Sequence, residues 1–334
     1  MNFYKIAEKV LTGTSLTGYE CLDILNCPKE NILALLHAAF QVRNKFFGTT
    51  VYLHMLINAK SGLCSEDCSY CSQSKVADAE IMKYPLVSSE TILSGARSAE
   101  HDGAKRYCIV TSGRTLGSTE LQKICDTVKV IKQEMNIEIC TSLGLLTKKE
   151  AVELKKAGVD RYNHNLNISE QNYSNICSTH SFRERIETLQ NARSAGMELC
   201  CGAIFGTGES QQDIIDTALA LKELSPDSIP VNFLNPIPGT PLEHAKNLTP
   251  VKCLSILCLM RFLNPETEIR IAGGREHNLR SLQSLSLYPA NSIFISDYLT
   301  TPGQTVEEVR KMVEDMGFEV EEERSREINA SIDK

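Results

Sequence analysis

From residue 50 onward the chain alternates between two hydrophobic periods. Short runs, such as VYLHMLINAK, RYCIVTSG and IEICTSLG, read as strands. Between them lie longer segments whose apolar residues recur every three or four positions. SSETILSGARSAEHDGA is typical, with a Ser/Thr start and a glycine stop. The first three strands precede that segment, STELQKICDTVKVIKQEM and TKKEAVELKKAGV in turn. DRYNHNLN then precedes SFRERIETLQNARSAGM, ELCCGAIFG precedes ESQQDIIDTALALKEL, and SIPVNFLNPIPG precedes TPVKCLSILCLMRFL. EIRIAGGRE precedes the weaker LRSLQSL, and ANSIFISDYL precedes TVEEVRKMVEDMG.

Strands joined through helices run parallel with right-handed crossovers. Eight such units in succession predict an α/β fold closed into a (β/α)8 barrel of TIM type, rather than an open doubly wound sheet. Ahead of the barrel, the amphipathic ENILALLHAAFQVRNKFFG predicts a helical extension packed on one end of it. The chain then divides into an N-terminal helical extension (1–48), a barrel (49–320) and an acidic C-terminal tail (321–334). The stretch FEVEEERSREINASIDK reads as solvated.

Composition narrows the class. Of 334 residues, 42% are hydrophobic and 23% charged, ordinary for a globular enzyme. A net charge of -7 gives no support for a nucleic-acid or membrane-surface partner. No window approaches the ~18 uninterrupted apolar residues of a membrane span. Glu8 and Lys9 interrupt the apolar positions of the N-terminus, which does not read as a signal peptide. The 13 cysteines therefore belong to the reducing cytoplasm, where clustered thiols more often bind metal than form disulfides.

Three of those thiols, Cys64, Cys68 and Cys71, fall in SGLCSEDCSYCSQSK, the loop after the first strand. Barrel active sites lie at that end of the strands. Three thiolates hold three irons of a [4Fe-4S] cube and leave the fourth open to a small ligand. The competing reading is a zinc site with a remote fourth ligand.

Cys108, Cys140 and Cys200 sit two or three residues into the second, third and fifth strands, and Arg270 lies at equivalent depth in the seventh. If all point inward they form a second thiol group; otherwise they are ordinary core cysteines, a frequent fate of free Cys. The Cys200-Cys201 doublet hides the phase, because neighbours on a strand face opposite ways. In the fourth strand, alternation puts Asn163, Asn165 and Asn167 on one face and Tyr162, His164 and Leu166 on the other. A row of amides reads a neutral polar ligand such as a ribose diol or a ureido group, or else holds water. His164 is expected to be a hydrogen-bonded structural residue. Asn232 adds an amide from the sixth strand. GAIFGTGES, carrying Gly206 and Glu209, offers backbone for close approach to a nucleoside, and Arg185 is a candidate for a carboxylate. Cys125, Cys253 and Cys258 lie on apolar helix faces, Cys21 and Cys27 in the extension, and Cys177 in a loop with no assigned role.

Taken together, these residues resemble the radical S-adenosylmethionine enzymes and, within them, the biotin synthase family, over roughly residues 45–320. CSEDCSYCSQS, with Tyr70 before the last cysteine, carries the superfamily likeness. YNHNLN, VNFLNPIPGTPL, IRIAGGRE, ANSIF and the strand cysteines carry the narrower one. The resemblance implies a [4Fe-4S] cluster on Cys64, Cys68 and Cys71 that binds S-adenosyl-L-methionine. It also implies a [2Fe-2S] cluster on Cys108, Cys140, Cys200 and Arg270. Asn165 and Asn232 would contact the ureido ring of dethiobiotin, Asn165 and Asn167 the adenosyl ribose, and Arg185 the methionyl carboxylate. Tyr70, Gly206 and Glu209 complete the implied binding set. Asn167 stands where some family members carry aspartate. The implied activity is radical insertion of sulfur into dethiobiotin to give biotin, with 5'-deoxyadenosyl radicals abstracting hydrogen and the [2Fe-2S] cluster giving up sulfide. A flavodoxin-type electron donor and a homodimer are implied as well. A related radical enzyme of similar barrel, or a non-catalytic iron–sulfur protein, would share the triplet without needing the rest.

Overall fold

A computed structural model describes residues 2–321. Three helices come first: α1 (Phe3–Leu11), α2 (Gly18–Leu25) and α3 (Ile32–Phe47). The predicted units follow. β1 (Thr50–Lys60) leads to α4 (Ser89–His101), β2 (Arg106–Thr111) to α5 (Ser118–Glu134), and β3 (Glu138–Ser142) to α6 (Lys148–Ala157). β4 (Arg161–Asn163) leads to α7 (Phe182–Ser194), and the fifth stave, split into β5 (Glu198–Cys200) and β6 (Ala203–Phe205), to α8 (Gln211–Leu224). β7 (Ser228–Phe233) precedes α9 (Pro250–Leu263), β8 (Glu268–Ile271) precedes the short α10 (Arg275–Leu279) with a 3-10 turn, and β9 (Ser292–Phe294) precedes α11 (Val306–Asp315).

Neighbouring staves pair in parallel, and β9 returns to β1 through Tyr52↔Ser292 and Leu53↔Ile293, so the barrel is closed. Both halves of the fifth stave pair with β7, and Gly202 between them lies close against it. A Cβ at Gly202 would lie 1.8 Å from the Pro230 carbonyl oxygen, so no side chain fits there.

The helix starts are written locally. Thr147, Ser181, Ser210 and Thr305 each accept from the backbone N–H three residues on, and Glu150, Glu184, Asp213 and Glu308 reach back to the cap. Such caps contribute about 1 kcal/mol each and fix where each helix leaves the mouth.

Nearly every residue of α9 is buried, which explains why its sequence is apolar all round. One face meets the barrel and the other is covered by the N-terminal helices, which pack on α8 and α9. The extension thus lies mainly along the flank of the barrel rather than on one end. α3 reaches the lower rim, where Arg43 donates to the Gly48 and Thr50 carbonyls at 2.9 and 2.8 Å. The C-terminal stretch also departs from expectation. Phe318 is buried, and β10 (Glu319–Val320) pairs with the start of β1, so apolar burial and a free strand edge dock the first residues of the stretch read as solvated. Residues 322–334 of the proposed tail lie outside the described residues.

Candidate active site

The C-terminal ends of the strands surround a cavity of about 390 Å³. Cys64, Cys68 and Cys71 line it from the loop after β1, together with Tyr70, Asn165, Asn167, Arg185 and Asn232. Burial pushes the Cys71 thiol up to about 11. Cys68 also meets a fourth thiol. Its Sγ lies 3.7 Å from Cys177 Sγ, and this contact, with burial, holds the Cys68 thiol well above its ordinary value. The same contact, against the opposing effect of burial and aided by His180 and Thr179, brings Cys177 down to about 4.

The asparagine row does not form as the alternation predicts. β4 ends at Asn163, and Asn167 takes a left-handed φ of +72° where its backbone bridges Ala203. Asn163 therefore turns down toward Cys200 Sγ, 3.1 Å away, while His164, Asn165 and Asn167 reach the cavity. Asn165 Oδ1 accepts from Gly202 N–H at 3.0 Å. Asn232 Oδ1 accepts from Gly273 N–H at 3.0 Å, and its Nδ2 donates to the Ala203 carbonyl at 3.1 Å. Backbone partners thus fix both amides, leaving Asn165 Nδ2 and one Asn232 N–H for a ligand. Asn167 Nδ2 donates to Tyr70 Oη at 2.7 Å.

Arg185 is buried rather than superficial. It donates to the Asn165 carbonyl at 2.8 Å, to His180 Nε2 at 2.7 Å and to Tyr173 Oη. His164 is buried with Nε2 3.5 Å from Arg185 Nη1, and burial beside that cation drives the imidazole well below its ordinary value, so it is neutral. Gly206 and Glu209 are not among the cavity-lining residues. Glu209 spends its carboxylate on the Gly206 and Thr207 N–H groups, at 2.7 and 2.8 Å, closing its own turn.

Below the cavity, Cys108, Cys140 and Cys200 form one buried group. The strand register makes it: Cys108 pairs directly with Cys140, and Asn163 of the next strand pairs with Cys200. Leu56 lines the cavity and also packs on this group, so the two tiers are contiguous. A hydrogen bond with Cys108 and then burial hold the Cys140 thiol well above its ordinary value, against a bond with Cys200 that lowers it, and the bond with Cys140 and then burial do the same for Cys200. Cys201 faces the other way, into the main core, which settles the phase of the doublet. Arg270 Nη1 approaches Cys200 Sγ at 3.6 Å.

Beneath the thiols lies a buried charged layer that sequence reasoning missed. Glu268 Oε1 accepts from Arg270 at 2.6 Å, Ser228 Oγ at 3.1 Å and Ser292 Oγ at 2.9 Å, with His54 Nε2 3.0 Å away. Its Oε2 accepts from Arg106 and Arg161, each at 3.0 Å. Burial alone would raise the Glu268 carboxyl, but Arg270, with Arg161 and Arg106, holds it well below the usual range.

A model of the Radical SAM superfamily matches residues 60–221, and one of the Biotin and Thiamin Synthesis associated domain matches residues 230–319. Biotin synthase of Bacillus subtilis (strain 168) is 52% identical over 317 residues, 95% of each chain. The chain belongs to the biotin synthase family. Biotin synthase of Geobacillus kaustophilus is 49% identical over 320 residues, 96% of each chain. Among solved structures, methylornithine synthase superposes with a TM-score of 0.83 at 21% identity, covering 97% of this chain and 99% of that one. The FeFe-hydrogenase maturase HydG from Carboxydothermus hydrogenoformans gives 0.78 at 20%, covering 95% and 79%. These two likenesses speak for the fold alone. Biotin synthase family membership makes the chain a radical S-adenosylmethionine enzyme of biotin formation, a class that works with an iron–sulfur cluster and S-adenosylmethionine. No helix among the described residues is long and apolar enough to cross a membrane.

Proposed function

We propose that the chain inserts sulfur into dethiobiotin, with two clusters held at two depths of one barrel. The observation that carries this reading is the strand register placing Cys108, Cys140 and Cys200 beside Arg270 directly beneath the cavity. The donor sets fit the groups. Three thiols around an open cavity suit a [4Fe-4S] cluster with a free coordination position. The deeper site offers three thiols and a guanidinium whose Nε has no hydrogen-bond partner among the described residues, suiting a smaller [2Fe-2S] cluster. When bound, the first supplies the electron that cleaves S-adenosylmethionine and the second supplies sulfide.

The chain's own residues then position and exclude. Asn165 Nδ2 and the remaining Asn232 N–H face the cavity as donors for a ureido carbonyl, and being fixed to backbone they need no reordering on binding. Asn167, tethered to Tyr70, is placed for a ribose hydroxyl, and Arg185 for a carboxylate. Glu268 anchors Arg270 from below and keeps its guanidinium directed at Cys200. The apolar wall, which includes Leu56 and Phe294, limits water around a reactive intermediate. We further infer a cytoplasmic homodimer served by a flavodoxin-type electron donor, with 1–48 as extension, 49–320 as barrel and 321–334 as tail.

Anaerobic assembly followed by product analysis tests the two-tier reading. Cys64→Ala should yield no 5'-deoxyadenosine. Cys108→Ala should still cleave some S-adenosylmethionine but form no biotin. Normal biotin formation in Cys108→Ala would remove the deeper thiols from sulfur delivery.

A further inference from the structure

Cys177 lies outside both thiol sets, yet its sulfur is the one within hydrogen-bond range of Cys68 among the described residues. The two stretches that carry the pair are zipped together. Ser69 N–H donates to the Ile176 carbonyl at 2.9 Å, and the residues flanking this bond are Cys68 and Cys177 themselves. Asp67 accepts from the Ser178 and Thr179 N–H groups at 2.9 and 3.2 Å, and Thr179 Oγ1 donates to Glu66 at 2.8 Å. The backbone around the two sulfurs is thus held before any bond joins them. A disulfide needs its sulfurs at about 2.05 Å with closely spaced backbones. From 3.7 Å, side-chain rotation is what remains to close the gap.

Cys68, Cys177 and His180 also place one ligand atom each within 4.8 Å of one another, so a metal site is the rival. The imidazole decides against it. Arg185 Nη2, which only donates, sits 2.7 Å from His180 Nε2, making that nitrogen the acceptor. The proton therefore lies on Nδ1, which donates to Glu66 Oε2 at 2.6 Å. Neither nitrogen keeps a lone pair for a cation, and a guanidinium stands beside them.

We propose that Cys68 and Cys177 are a reversible oxidation site, closing to a disulfide when the chain is without its cluster and sparing Cys68 from irreversible oxidation. The oxidant is a peroxide, which reaches Cys68 through the cavity that this residue lines. With the one proton the pair shares moved onto Cys177, the Cys68 thiolate attacks one peroxide oxygen, the O–O bond breaks, and the leaving hydroxide takes a proton from solvent and departs as water, leaving a sulfenic acid. Cys177 sulfur then attacks the sulfenyl sulfur, the S–O bond breaks, and a second water leaves with the Cys177 proton. Two thiols and one hydrogen peroxide give one disulfide and two waters; the sulfurs lose two electrons and the peroxide oxygens gain them. The linkage itself does not depend on Cys68 holding iron, whereas its value to the enzyme rests on that assignment.

The test uses the full chain freed of iron by a chelator under reduction, desalted, and exposed to hydrogen peroxide. Peptide mapping should find Cys68 joined to Cys177 as the main intrachain link, reversed by dithiothreitol and kept in Cys64→Ser. Under excess peroxide, Cys177→Ser should carry at least about fivefold more sulfinic acid at Cys68 than the parent chain. Pairing of Cys68 with Cys64 or Cys71 instead, or equal sulfinic acid in both proteins, overturns the proposal. Iron uptake by Cys68→Ser after anaerobic assembly is read separately: unchanged uptake would sink the cluster assignment while leaving the oxidation site standing.

Discussion

The two thiol sets are held in opposite ways. Cys64, Cys68 and Cys71 ride on a loop, and one of the three, Cys68, has Cys177 within 3.7 Å. Cys108, Cys140 and Cys200 ride on strands, where backbone pairing fixes their depth and leaves them no other thiol to meet. A loop lets sulfurs wrap a cluster that arrives late, at the cost of pre-organisation. Strands give the reverse: the site stands ready, and disturbing it disturbs the barrel.

The largest expected effect tests whether the tiers are separable. Cys140→Ala should abolish biotin formation and remove only the deeper site's share of iron, leaving cavity-site iron and S-adenosylmethionine cleavage in place. Loss of both iron pools would mean that the tiers assemble as one unit. Next in size is Glu268→Ala. It leaves Arg106, Arg161 and Arg270 buried without their shared carboxylate. Removing one partner of such a network costs about 3–5 kcal/mol, read from the denaturation midpoint. A change below about 1 kcal/mol would show the charged layer to be hydrated.

The same contrast sets what the sequence discloses. The mouth triplet is visible because its cysteines are neighbours in one loop, and the eight staves because their periods are local. The deeper group needs register, which a single strand does not contain. A signal was nevertheless present: Arg106, Glu138, Glu198 and Glu268 each stand two residues before Cys108, Cys140, Cys200 and Arg270, on the same strand face. A charged layer under the thiols could have been read from that repeat. The Cys68–Cys177 contact could not, since 109 residues separate the partners. Nor could the fate of Asn167, whose left-handed turn is imposed by its bridge to Ala203. Nor does glycine spacing show that Glu209 accepts from the Gly206 and Thr207 N–H groups and closes the turn.

A smaller effect is expected at the mouth. Tyr70→Phe deletes the acceptor of the Asn167 amide. Losing one such bond is worth about 1 kcal/mol. The KM for S-adenosylmethionine should rise roughly fivefold with kcat little changed, the pattern of lost uniform binding. A fall in kcat alone would place Tyr70 nearer the reacting atoms.

The smallest effect compares one histidine from each tier. His164 at the mouth and His54 beneath the strand thiols are both buried, and burial followed by a neighbouring arginine (Arg185 and Arg270 respectively) drives both imidazoles well below their ordinary value. Glu268 opposes the shift at His54 without reversing it. In the unfolded chain each takes up a proton near pH 6.5, while the folded chain refuses it. The unfolded state therefore binds more protons below that pH, and stability falls as pH drops. The Glu268 carboxylate has the same sign in a lower window: its contribution is full above about pH 4.5, where a free carboxyl titrates, and is lost as pH falls through its depressed folded value. His54→Gln should flatten the limb just below pH 6.5 by at most about 1.4 kcal/mol per pH unit and leave the lower window standing. Chemical denaturation between pH 4 and pH 7 measures this, and an unchanged slope would mean that His54 is protonated in the folded barrel, a fourth cation on Glu268 beside Arg106, Arg161 and Arg270.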